Sequence, residues 1–88
     1  MNAKQPAINE LEKTDSQKLI DGESVKSATI QTPEMFTVLD IQYATPDGLQ
    51  VIDQLGRNGL IRWEQVLWLA TKSKTIDVAK LRRLARWN

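Results

Sequence analysis

Histidine and cysteine are both absent from this chain. Losing histidine removes the commonest general base and the commonest metal ligand together. Losing cysteine removes the thiolate nucleophile, the thiolate metal site and the disulfide. Hydrolase triads, zinc centres and histidine relays are therefore excluded. Carboxylate or lysine chemistry survives, but it needs groups paired at a set distance, and no pair of carboxylates stands out. After Asp53 the only acids are Glu64 and Asp77, and each has a local structural role. No glycine-rich phosphate loop occurs. The composition points to a binding protein with no catalytic residue, no metal ligand and no cofactor.

The residue best suited to binding is Trp68. The run from Leu60 to Ala70 reads as helix. At about 100° per residue, Leu60, Trp63, Val66, Leu67 and Ala70 gather on one stripe, a core face. Trp68 lies roughly 140° from the centre of that stripe, and Ile61 falls within about 20° of Trp68. The helix thus carries a second apolar face, headed by Trp68 with Ile61, Gln65 and Lys72 as neighbours. Tryptophan is the side chain most enriched at interface hot spots. A small domain has little reason to show such a patch to water unless something binds there. A second copy of the chain could close on the same patch as a homo-oligomer, or the ring could pack beneath another element.

The elements that must position Trp68 begin near residue 32. Thr32-Pro33-Glu34 has the chemistry of a helix start: a threonine cap, a proline and an acid. Met35, Phe36, Leu39 and Tyr43 follow at helical spacing, although residues 35–43 also suit a strand. Thr45-Pro46-Asp47 repeats the signal, Leu49, Val51, Ile52 and Leu55 continue it, and Gly56 with Asn58-Gly59 stops it. Thr75 caps a last helix. On it Val78, Leu81, Leu84 and Ala85 share one face, and Arg82, Arg83 and Arg86 the other. The expected fold is mostly α: a compact helical domain over about residues 32–88. Its expected core is Leu49, Ile52, Leu55, Trp63, Leu67, Leu81 and Leu84. At 88 residues, one small domain is the limit. No apolar run approaches the roughly 20 residues needed to span a bilayer.

Charge is unevenly spread. Residues 1–55 carry four lysines against nine acids, and residues 56–88 carry eight basic groups against two acids. The basic flank is Lys80, Arg82, Arg83 and Arg86, with Lys72 and Lys74 nearby. It would suit an acidic protein surface or, as an alternative function, the phosphates of a nucleic acid bound by a small bacterial or phage regulator. Nucleic acid is the weaker reading, because the basic face lacks Asn, Gln or Ser to read bases and the leading half is acidic.

Residues 1–31 are polar, with thinly spread apolar residues, and read as a flexible lead segment. They have no apolar core of a signal peptide. Polar, flexible and cysteine-free, the segment beginning Met1-Asn2-Ala3-Lys4-Gln5-Pro6-Ala7-Ile8-Asn9 looks like an export signal of the type III kind. The whole chain, by its length, this segment and the run from Ile61 to Leu69, resembles the OspE/EspO family of small type III secreted effectors. The family's partner-binding tryptophan matches Trp68. The resemblance implies a virulence protein delivered into the host cell. There it would gather at focal adhesions, bind integrin-linked kinase and stabilise adhesion.

Overall fold

The computed structural model describes residues 14–72 and 74–86, and they form an antiparallel sheet with helices on one face. Helix α1 (Asp15–Ile20) leads into β1 (Val25–Gln31), β2 (Phe36–Ala44), β3 (Gly48–Ile52) and β4 (Asn58–Arg62). A single 3-10 turn, Trp63–Gln65, carries the chain to β5 (Trp68–Ala70), and α2 (Val78–Ala85) follows. The sheet order is β4-β3-β2-β1-β5. Four strands run as a meander, and β5 crosses back to pair with β1, at the other side from β4.

The mostly helical expectation is therefore overturned, and the reason is local. Threonine followed by proline starts a tight turn as readily as a helix, because both need an oxygen that accepts nearby N–H groups. Thr32 Oγ1 accepts from the amides of Glu34 and Met35, at 3.3 and 3.1 Å. Thr45 Oγ1 accepts from those of Asp47 and Gly48, at 3.1 and 3.0 Å. Each turn closes a hairpin: the Thr32 amide donates to the Met35 carbonyl and the Thr45 amide to the Gly48 carbonyl. The strands joined by these turns alternate instead of recurring every third or fourth residue. In β1, Val25, Ala28 and Ile30 are buried while Lys26, Ser27 and Gln31 are exposed. The phase shift after Val25 is a bulge, where Ser27 adopts φ 56°. Asp40 Oδ1 accepts from the Ser27 amide at 2.9 Å and supports that left-handed residue.

The inner face of the sheet carries the core. Ile30, Ile41, Leu49 and Leu69 are fully buried there, and α1 inserts Leu19 and α2 inserts Leu81 and Ala85 against them. Residues 15–31 thus belong to the domain, which begins before Thr32; residues 1–13 lie outside the described residues. Within the expected core, Leu49, Trp63 and Leu81 are buried, but Leu55, Leu67 and Leu84 are exposed and Ile52 is half-buried. Helix α2 is capped by Asp77, whose side chain accepts from the Lys80 amide at 3.1 Å, and not by Thr75. No helix among the described residues is long and apolar enough to cross a membrane.

Candidate functional site

Register places the site. Gln31 of β1 lies opposite Phe36 on β2 and opposite Trp68 on β5. Directly opposed residues share a face, so Trp68, Gln31 and Phe36 form one row across three strands. Ile30, Gln31's neighbour, points into the core, so the row stands on the outer face, away from the helices. The two rings lean together over Gln31 and stack, with centroids 6.0 Å apart and planes 15° from parallel. The next row on the same face is Ala70, Thr29 and Val38. Phe36 remains 66% exposed and Trp68 36%. Met35 and Leu67, the residues before each ring, are exposed as well.

The local sequence explains why the rings meet. The Thr32 turn brings β2 back beside β1 after only Pro33, Glu34 and Met35. On the other side, the Leu67 amide donates to the Gln31 carbonyl at 2.8 Å, and the Ile76 amide donates to the Leu69 carbonyl at 2.9 Å. Those bonds hold β5 from both edges. Such a ring pair contributes about 0.5–1.5 kcal/mol beyond its buried area.

Trp63 has the opposite role. It is buried, and its Nε1 donates to the Thr45 carbonyl at 2.9 Å, tying the 3-10 turn to the β2–β3 connection. The contrast between a core Trp63 and an exposed Trp68 stands, although β4, the 3-10 turn and β5 replace the expected helix.

The expected neighbours of Trp68 do not gather round it. Ile61 is buried in β4, opposite Leu49, on the inner face and at the far edge of the sheet. Trp68 and Ile61 therefore do not form a shared patch in this topology. Gln65 is exposed on the 3-10 turn, and Lys72 is exposed just past β5. The residues that do join Trp68 are Phe36, Gln31 and Val38. Period-2 alternation through Phe36, Val38 and Asp40 was the available signal for Phe36; Gln31 had none.

The basic flank lies elsewhere. Lys80, Arg82 and Arg83 are exposed on α2 and Arg86 at its C-cap; the helix covers the inner face, so the sheet separates them from the ring pair. Two clefts border that helix. One, of about 380 Å³, brings Arg82 and Arg62 together with Asp47 and Glu64. The other, of about 350 Å³, brings Lys74 and Lys80 together with Asp15 and Asp77. Both are mixed in charge, and neither includes a ring of the stacked pair. Among the described residues no three acids converge where they could hold a metal ion.

One carboxyl is tuned by its surroundings. Asp53 opens the turn between β3 and β4 and is held below its ordinary value, first by the Arg57 amide that donates to Oδ1 at 2.9 Å. The Arg57 guanidinium, donating from Nε to Oδ2 at 2.8 Å, and the Leu55 amide add to this, against a smaller desolvation.

Fold and site together define a small antiparallel-sheet domain whose open face carries an exposed aromatic pair. Compared with known proteins, the chain matches no family model, no curated protein and no solved structure.

Proposed function

We propose that this chain acts by binding a protein, without chemistry of its own, through the outer face of the sheet at the Phe36–Trp68 pair. The observation that carries this reading is the stacked pair itself: two large rings, Phe36 mostly and Trp68 partly exposed, side by side on the open face of the sheet. The two rows around it (Trp68, Gln31, Phe36; Ala70, Thr29, Val38) contain no charged side chain. Aromatic enrichment with charge depletion is the composition of an interface centre. It also argues against a nucleic-acid strand stacked on these rings, which would need cations beside them for its phosphates. Nucleic acid on the basic helix gains no support either, since acids share both clefts with the lysines and arginines.

The resemblance to the OspE/EspO effectors makes integrin-linked kinase the first partner to assay. With that partner come delivery by a type III system and action at host focal adhesions. A titration of purified kinase against the full chain tests both levels. Saturable binding lost in both Trp68→Ala and Phe36→Ala supports the site and the partner. No binding by the wild type rejects this kinase. Binding retained by both variants rejects the ring pair as the contact.

A further inference from the structure

β4 forms one edge of the sheet. Two hydrogen bonds fix which of its main-chain groups face outward. The Asp53 amide donates to the Arg57 carbonyl at 3.0 Å, and the Trp63 amide donates to the Asp47 carbonyl at 3.4 Å. These bonds flank the β3–β4 ladder, whose register runs unbroken from Gly48↔Arg62 to Ile52↔Asn58. Bonded and non-bonded residues alternate along an antiparallel pair. Gly59 and Ile61 therefore turn their amides and carbonyls toward β3, and Asn58, Leu60 and Arg62 turn theirs outward. Among the described residues no strand lies on that side. No turn, cap or side-chain hydrogen bond among the described residues takes those outward groups up.

Exposed edges are ordinarily guarded by proline, lysine, a bulge or a covering segment. β4 has no proline, its ladder has no bulge, and its one charged side chain, Arg62, stands at the strand's end. Its residues are instead complementary to their own reverse. In an antiparallel pairing about a two-fold axis through Leu60, Leu60 meets its counterpart, Gly59 meets Ile61 and Asn58 meets Arg62. Leu60 is 44% exposed and stands on the outer face, so the leucine pair would bury what is now in water. Ile61 would extend over the space left by a glycine. The arginines sit diagonally apart, each opposite an amide side chain, so no like charges meet. We infer that two copies of this chain associate through β4, joining their sheets into one with the two ring pairs at its far ends. Five residues of strand bury far less than the roughly 1,200–2,000 Å² of a standard interface, so the association is weak and concentration-dependent. It makes the protein bivalent, with two docking faces per assembly.

The test uses the full chain. Directly opposed residues of a hydrogen-bonded antiparallel pair have Cα atoms about 5.5 Å apart, within the roughly 4.4–6.8 Å that a disulfide spans. The native chain has no cysteine, so Leu60→Cys introduces a single thiol at the axis. On mild oxidation it should give a covalent dimer faster than Lys80→Cys, whose thiol would sit on α2. In sedimentation equilibrium the wild type should rise above its 10.0 kDa monomer mass with concentration. Leu60→Lys sets two charges face to face and should weaken the association at least about tenfold. The inference is overturned if the wild type remains monomeric up to about 1 mM, a concentration that detects even a Kd in the millimolar range. It is also overturned if Leu60→Lys associates as tightly as the wild type, or if Lys80→Cys cross-links as fast as Leu60→Cys.

Discussion

β4 and β5 end the same sheet on opposite sides, and the chain finishes the two edges differently. Beyond β5 the backbone folds back: Thr75 bridges Ala70 and the Ile76 amide reaches the Leu69 carbonyl. That edge is covered, and what is left open beside it is a face, the one bearing Phe36 and Trp68. Beyond β4 no strand pairs among the described residues, and what is left open is main chain. A covered edge with a bare aromatic face selects partners through side chains, whose identity can be specific. A bare edge selects through backbone hydrogen bonds and needs only a strand of matching register. If both proposals hold, the two ends take different partners: a foreign protein at β5, and a second copy at β4.

The largest expected effect breaks the link between these ends. Trp63 begins the turn that leads from β4 toward β5, and its ring is buried with its Nε1 bonded to the Thr45 carbonyl. Trp63→Ala removes a large buried ring and should cost about 3–5 kcal/mol, a large share of what a domain this small has. Urea denaturation followed by circular dichroism reads this directly. A loss below about 1 kcal/mol, the level of an ordinary surface change, would mean that Trp63 is not a core residue.

Gly48 gives a second large effect, at the start of β3. A Cβ there would overlap the Ile61 carbonyl oxygen of β4. Close backbone approach of this kind admits only glycine. Gly48→Ala must push β4 away from β3, and the expected loss is about 1–3 kcal/mol, as for other overpacked sites. The amides of Gly59 and Ile61, which face β3, should lose hydrogen-exchange protection with it. Unchanged protection at both would show that the strands stay paired and that the overlap at Gly48 is relieved without moving β4.

At the β5 end the same class of substitution should do something else. Trp68 is partly exposed and stacks on Phe36, so Trp68→Ala forfeits about 0.5–1.5 kcal/mol of ring contact and leaves the sheet intact. Binding of the protein partner should fall at least about thirtyfold, the equivalent of a hot spot of about 2 kcal/mol. A Trp68→Ala variant that melts like Trp63→Ala would make the two ends alike and remove the aromatic face as a separate site.

The two tryptophans also mark how much the sequence discloses. Trp63 inward and Trp68 outward could be read from spacing, but the rest of the stripe could not. Trp63 and Val66 point inward, whereas Leu60 and Leu67 are exposed, Ala70 lies on the outer face and Ile61, placed beside Trp68 on a helix, is buried. The strands themselves were hidden by ambiguity. Thr32-Pro33 and Thr45-Pro46 satisfy local amides in a turn with the same oxygen that would cap a helix. A short apolar run such as Leu60 to Ala70 fits both periods. Phe36, the partner of Trp68, is 32 residues away in sequence, and only register across β1 joins them. Long-range pairing of that kind leaves no local trace, so the site was half legible: one ring and not the other.

The smallest expected effect concerns the turn that sets β4's register, and so which of its groups face outward. Asp53 caps this turn, and Gly56 allows it with φ 81°. Its carboxylate accepts from the Arg57 amide and, more weakly, from the Arg57 side chain and the Leu55 amide, and those bonds favour the charged form, holding the carboxyl below its ordinary value of 3.8. A group whose folded value is depressed contributes stability that is complete above its unfolded value. That contribution is lost as pH falls through the folded value. Acid titration of stability should therefore show a loss beginning below about pH 4 and continuing under it, and Asp53→Asn should flatten that part of the curve while leaving neutral pH little changed. The carboxylate is exposed to water, so the change is small and salt weakens the ion-pair part of it. If β4's edge depends on this turn, acid should weaken self-association over the same range in the wild type and less in Asp53→Asn. Self-association that falls equally in both would show that the turn does not set the edge.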